Sequence, residues 1–443
     1  MSAREVAFLA LREGGDRSLE AVSYFAEEYD LEPRDAALAR KIVGTVQRRR
    51  GCLRAIVNAV AYPKPKAELA TMLHIGLAQL FYLDRVPNHA AVSETVLATN
   101  NFIGQAKGRV INAVLRKVLR TRREELSGDP MRDLIGTNVS FPIPLFRDPA
   151  EHFYLWVEDA LSIPSALFKA WDQRHGRERA LQLAHWAGEE PPLSVRPASG
   201  EVAALAEAFR GAGIEPVHTG EHTLLFGAEQ ASEVLQSEVF KEQRAVVQGA
   251  AACAAAKLVE AGSDQRILDL CAAPGGKATL MAASGARVLA MDISDWRLLR
   301  VWDNLEAQDA ERTPWVVASD GATALRPEAT FDAVLLDAPC SNTGVLAARP
   351  EARWRFGPQT KKSLIELQAR LLDQAAPHVR TGGALVYSTC SLEPAENRAQ
   401  AKAFIDRQGG ESVWKLEAEL EHLPDLQSGF GDGGYAARLR RNP

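Results

Sequence analysis

At 443 residues the chain is too long for one ordinary core, so two or three domains are expected. Its 46% hydrophobic and 25% charged content is that of a globular protein, and its five cysteines (Cys52, Cys253, Cys271, Cys340, Cys390) form no CxxC pair, which argues against a zinc ribbon or a disulfide framework, and no metal site is expected. The net charge of −5 hides a division, because residues 1–123 hold 20 Lys/Arg against 12 Asp/Glu whereas the remainder hold 32 against 45.

The first residues, "MSAREVAFLALREGG", mix Arg4, Glu5, Arg12 and Glu13 with apolar side chains, unlike a signal peptide. From Arg4 to about Arg123 apolar residues recur at helical spacing, as in "ALARKIVGTVQRRRGCLRAIV" and "RVINAVLRKVLRTRREEL", so a helical bundle is expected. "AYPKPKAE" and "DRVPNHAAVSE" interrupt it, with a new helix after Pro87. The uncharged stretch Leu69–Leu83 is too short for a membrane span and reads as a buried helix. Arg48, Arg49, Arg50 and Arg54, and a second set of Arg116, Lys117, Arg120, Arg122 and Arg123, are the expected phosphate contacts of a nucleic-acid partner. A Pro-rich linker follows, and "PPLSVRP", "AGIEPVH" and "HTLLFG" predict short strands in a small α+β insert. The expected domains are 1–140, 141–245 and 246–443.

In the last of these, "RILDL", "RVLAM", "PWVVA", "DAVLLD" and "GALVYS" alternate with helical stretches, the pattern of an open parallel α/β sheet of Rossmann-like type. Ligands bind such sheets at the carboxyl ends of the strands. After the first strand, Cys271, Ala272, Ala273, Pro274, Gly275, Gly276 and Lys277 form a turn whose glycines let a cofactor approach the backbone. It is not a P-loop, having cysteine at 271 and alanine at 278, and it lacks the GxGxxG spacing of a dinucleotide oxidoreductase. Asp292 after the second strand suits the hydroxyls of a ribose, and Asp320 after the third suits an adenine amino group. Either aspartate is equally readable as a helix cap.

The fourth strand leads to Asp337 and Cys340, the fifth to Cys390. With strand order 3-2-1-4-5 these residues share a cleft with Lys277, since adjacent strands lie about 4.8 Å apart. Two thiols beside a carboxylate and an ammonium suit methylation at carbon 5 of a pyrimidine. A thiolate adding to C6 makes C5 nucleophilic, and a second thiol assists release. Asp337 would hold the N3 edge of the base and Lys277 would stabilise charge. Chemistry alone leaves open which thiol attacks, and either cysteine by itself is readable as an inert buried residue.

"LDLCAAPGGK", "LLDAPCSNTG" followed by "RPEARWR", and "YSTCSLEPAEN" resemble the RNA cytosine-5 methyltransferases that use S-adenosylmethionine, in particular the bacterial branch acting on small-subunit rRNA. "RKIVGTVQRRR", "VPNHAAVSETV" and "VINAVLRKVLR" are similar to the RNA-binding domain of the antitermination factor NusB. The resemblance implies that Cys390 attacks and Cys340 aids release, with residues 271–277, Asp292, Asp320 and Asp337 lining the cofactor and base site. It implies RNA as partner and S-adenosylmethionine as cofactor; the sparse, unpaired cysteines suit a reducing cytoplasm, and a monomer with no obligate protein partner is expected. The same chemistry on tRNA, or a catalytically degenerate ribosome-assembly factor, are the other readings. The chain departs from the family pattern around Gln248, where an acidic segment is usual, at Pro197, which replaces an asparagine, and near Gly433, where an aromatic pair is missing.

Overall fold

The computed structural model describes residues 1–306, 314–425 and 431–443. They fall into two compact units, Met1–Glu189 with Leu346–Gly357, and Glu190–Val345 with Pro358–Pro443. The expected three-part division differs, in that residues 141–189 lie in the first unit and 190–245 in the second. One reason is the linker, whose Phe141, Leu145 and Phe146 are buried in the core of the helical bundle.

The bundle comprises α1 (Ala3–Glu13), α2 (Ser18–Glu28), α3 (Pro33–Arg48), α4 (Arg50–Val60), α5 (Ala67–Tyr82), α6 (Asn88–Phe102) and α7 (Gln105–Thr121). Local signals explain its punctuation: Ser2 and Glu5 form a capping box at α1, and Pro33 opens α3 where no amide donor is needed. As expected, α5 is buried along most of its length. Burial, helped by Arg50 and Arg54, pushes the His74 imidazole on this helix down to about 4, so it is neutral at physiological pH. No described helix is long and apolar enough to cross a membrane.

The first set of expected phosphate contacts is corrected by the fold at Arg48 and Arg49, whereas Arg50 and Arg54 are exposed. Arg48 is buried and donates to the Ala347 carbonyl at 2.9 Å, and Arg49 is buried over the Tyr82 ring. Arg50 stacks on Trp354, and Arg54 pairs with Glu158 and Asp159. A run of arginines resembles a solvated face in sequence, but here guanidinium groups satisfy carbonyls where chain segments meet. Arg353 does the same, fully buried and donating to the carbonyls of Arg48, Ser162 and Ala187 at 3.3, 3.2 and 2.5 Å. In the second set, Arg116, Lys117, Arg120 and Arg123 are exposed on or just after α7.

In the second unit the insert forms an antiparallel sheet of β1 (Leu193–Pro197), β2 (His218–Thr219), β3 (Leu224–Phe226) and β4 (Ala245–Val247), in the order β2-β3-β1-β4. "AGIEPVH" contributes only its last residue to a strand. Gly213, at a φ of 80°, ends the preceding helix, and the segment turns before it can pair.

The large sheet contains β5 (Arg266–Leu270), β6 (Arg287–Asp292), β7 (Trp315–Ala318), β8 (Phe331–Asp337), β9 (Val379–Thr389), β10 (Trp414–His422) and β11 (Gly434–Arg441). Its order is β10-β11-β9-β8-β5-β6-β7. The five parallel strands β5–β9 thus take the expected 3-2-1-4-5 order, and β10 and β11 extend the sheet antiparallel. Near-continuous burial of β5 and β8 follows from covering both faces of a parallel sheet.

Candidate active site

The carboxyl ends of β5, β6, β8 and β9 carry the site. After β5 the chain turns through Cys271–Gly275 into the helix Gly276–Ala282. Gly275 has a φ of 96°, and a Cβ there would lie 2.8 Å from Val301 Cγ1, so the turn requires glycine on two counts. The Ala273 amide donates to Asp292 Oδ2 at 3.1 Å, and the Ser294 amide donates to Oδ1 at 3.0 Å. Asp292 is nearly fully buried and braces the glycine turn from the next strand. The helix after it is capped instead by Ser294, whose hydroxyl accepts the Arg297 amide at 3.2 Å. Asp320 is set apart from these groups, half exposed and ion-paired to Arg370 at 3.2 Å.

On β8 and β9, Asp337 and Ser388 are paired in register, and the Ser388 hydroxyl donates to Asp337 Oδ1 at 2.7 Å. Lys277 Nζ donates to Asp337 Oδ2 at 2.6 Å. Burial works against the Lys277 ammonium, but the Asp337 carboxylate outweighs it and raises its pKa, so the lysine stays charged. Just beyond, the sulfurs of Cys340 and Cys390 are 3.3 Å apart. Hydrogen bonding to Cys390 and then burial push the Cys340 thiol well above its ordinary range, so it stays neutral beside the other sulfur. Cys390 is the less buried of the two, and its Sγ donates to Asn342 Oδ1 at 3.1 Å. The fold therefore gathers Lys277, Asp337, Cys340 and Cys390 around adjacent strand ends. Close packing enforces the approach: a Cβ on Gly344 would sit 2.5 Å from the Gly433 carbonyl oxygen and 2.9 Å from that of Cys390.

Sequence reasoning missed Asp269, inside β5. It is fully buried, and neither carboxyl oxygen has a hydrogen-bond partner among the described residues. The signal was present as the acidic residue among the apolar positions of "RILDL", a strand covered on both faces. Burial pushes its carboxyl well above the usual carboxylate range; Lys277 opposes this and Asp337 and Asp292 reinforce it. A raised folded pKa confers stability that is complete below the unfolded value of about 3.9 and is lost as pH climbs through the folded value. Asp269→Asn, with no such proton to lose, should match the native chain near pH 4 and melt higher at pH 8. The expected gain is about 2 °C or more in thermal melts without cofactor. An equal difference at both pH values would contradict a protonated Asp269.

Two departures from the family pattern fall beside the glycine turn. Gln248 Oε1 accepts from the buried Arg196 at 2.6 Å, and Arg196 continues to Thr279 Oγ1 at 3.0 Å. Arg196 immediately precedes Pro197 on β1, so the insert braces the helix that follows the turn. Phe430, which begins the closing segment near Gly433, lies outside the described residues.

A sheet of this order, with a glycine turn after the first strand and a buried carboxylate ending the second, is that of S-adenosylmethionine-dependent methyltransferases. The residues fit that cofactor: Gly275 and Gly276 keep side chains off the turn at the head of the helix, and the buried Asp269, whose carboxyl oxygens have no hydrogen-bond partner among the described residues, and Asp292 place polar groups beside it. Residues 256–431 match the family model "16S rRNA methyltransferase RsmB/F", and residues 1–120 match the NusB family. Ribosomal RNA small subunit methyltransferase B of Escherichia coli (strain SMS-3-5) is 34% identical over 381 residues, covering 83% of this chain and 81% of its own. Among solved structures, PH0851 aligns with a TM-score of 0.75 at 20% identity, over 99% of this chain and 98% of its own. NSun6 from Pyrococcus horikoshii aligns with a TM-score of 0.54 at 19% identity, over 63% of this chain and 98% of its own. The chain belongs to the RsmB/F family and is an S-adenosylmethionine-dependent RNA methyltransferase with a NusB-like N-terminal bundle.

Proposed function

We propose that the protein methylates carbon 5 of a cytidine in small-subunit rRNA through a covalent bond from Cys390 to C6, in the cytoplasm. The observation that carries this reading is the 3.3 Å approach of two sulfurs, one buried and the other more exposed, beside the Lys277–Asp337 pair. Once the Cys390 proton has passed to solvent, attack by the thiolate forms the S–C6 bond and moves the C5=C6 electron pair toward C5, with Asp337 at the N3 edge favouring its protonation. S-Adenosylmethionine supplies an electrophilic methyl group. Lys277 holds positive charge beside the base. Release requires transfer of the C5 proton to water, re-formation of the C5=C6 bond from the C–H electron pair and cleavage of S–C6, which returns an electron pair to Cys390. Cys340, protonated and 3.3 Å away, stabilises the departing thiolate by hydrogen bonding. Residues 271–277 and Asp292 hold the cofactor, with Asp320 reaching the adenine end.

The rRNA substrate is supported by the family match and the Escherichia coli relative, and the cytoplasm by five free cysteines. The test is to incubate the enzyme with labelled cofactor and bulk bacterial RNA lacking the modification, then digest to nucleosides. We expect label in 5-methylcytidine from small-subunit rRNA. Label confined to tRNA would overturn the substrate, and label in another nucleoside would overturn the chemistry.

A further inference from the structure

Glu396 and Asn397 are consecutive residues on the loop between β9 and the helix Arg398–Arg407, both buried. Neither belongs to the reacting set, yet Asn397 grips the chain on both sides of one thiol and Glu396, together with Gln368, on both sides of the other. Asn397 Oδ1 accepts from the Thr389 hydroxyl at 2.6 Å and its Nδ2 donates to the Ser391 carbonyl at 2.8 Å, bracketing Cys390. Glu396 Oε2 accepts the Ser341 amide at 2.8 Å and Gln368 Nε2 at 3.2 Å. The same Gln368 Nε2 donates to the Pro339 carbonyl at 2.9 Å, which completes a bracket around Cys340. The Tyr387 hydroxyl fixes the dipeptide itself by donating to the Glu396 carbonyl at 2.5 Å.

We infer that Glu396 and Asn397 are positioning residues that set the two thiols independently, Asn397 serving attack by Cys390 and Glu396, through Gln368, serving release by Cys340. The physical basis is that side-chain clamps on flanking peptide groups fix where a sulfur sits, and misplacement by about 1 Å costs on the order of 100-fold in rate. The inference rests on the roles proposed above for the two cysteines. It adds that one short segment tunes two chemically distinct steps. Because the Asn397 side chain clamps the Cys390 segment and the Glu396 side chain the Cys340 segment, the two steps should separate by substitution.

The experiment compares single-turnover methyl transfer, steady-state turnover and the fraction of enzyme held as denaturant-stable RNA adduct. For Asn397→Ala, single-turnover transfer should fall about 10-fold to 100-fold with no adduct accumulating. With Glu396→Ala, single-turnover transfer should stay within about threefold while steady-state turnover falls about 10-fold and adduct accumulates. Glu396→Gln, which retains an acceptor for the Ser341 amide, should recover most of the turnover. Gln368→Leu should behave like Glu396→Ala. Parallel loss of both steps in the Glu396 and Asn397 variants would overturn the inference, as would no loss in either. Cys340→Ala is the control: if it accumulates adduct and Glu396→Ala does not, the clamp is wrong. If Cys340→Ala accumulates none, the role of Cys340 in release is wrong.

Discussion

Cys390→Ala is expected to reduce methyl transfer by about 10⁴-fold or more, the scale of loss when a covalent nucleophile is removed. C5 of cytosine is a poor nucleophile until a group adds at C6, so no residual pathway replaces the thiolate. The change removes one sulfur from a half-buried side chain at the end of β9 and leaves the bracket around it intact, since Asn397 holds Thr389 and Ser391 rather than Cys390 itself. Melting temperature and cofactor binding should therefore stay close to those of the native chain. Calorimetric titration with S-adenosylmethionine checks the second point. An alanine variant that transfers methyl groups at a rate within tenfold of the native enzyme would remove Cys390 from the attack.

Cys340→Ala is expected to show the opposite defect. Attack and methylation should proceed once, after which the enzyme remains joined to its product. On denaturing gels nearly all active enzyme should run as a protein–RNA conjugate in the presence of cofactor, against little for the native protein. The argument is electrostatic. Cys340 is buried, holds its proton strongly, and faces the Cys390 sulfur, so its removal takes away the donor that stabilises the leaving thiolate. A neutral hydrogen bond to a departing anion is worth about 1.5–3 kcal/mol, or roughly 10-fold to 100-fold in the release step. Cys340→Ser tests the sulfur itself, because a hydroxyl also donates, and should release faster than the alanine variant. Equal trapping by both would point to a role other than hydrogen-bond donation.

Much of this arrangement was legible in the residues. Apolar runs bounded by turn signals placed β5 through β9, and the 3-2-1-4-5 order brought "PCS" and "TCS" to neighbouring strand ends. What resisted reading was long-range polar satisfaction. Nothing local in "QRRRG" distinguishes arginines that satisfy buried carbonyls from arginines that meet phosphate, because both appear as charge on an amphipathic helix. Arg353 and Arg48 find their partners some 300 residues apart in sequence, in a segment that follows the Cys340 loop. Asp269 was hidden for a related reason. A strand pattern reports which face is covered, but whether a buried carboxyl has a partner depends on what stands opposite it in space. Glu396 and Asn397 look like solvent-facing loop residues in "SLEPAEN" until the strand ends are in place.

The division of labour between the two sulfurs is the central claim, and a mechanism-based trap tests it most directly. RNA carrying 5-fluorocytidine at the target position replaces the C5 proton that must leave with fluorine, which cannot depart as the proton does, so the enzyme stays bonded to C6. After digestion with protease and nuclease, mass spectrometry locates the nucleotide on a peptide. The account predicts a single modified peptide containing Cys390, with Cys340 unmodified and the same peptide labelled in Cys340→Ala. A nucleotide attached to Cys340 in the native enzyme would contradict it.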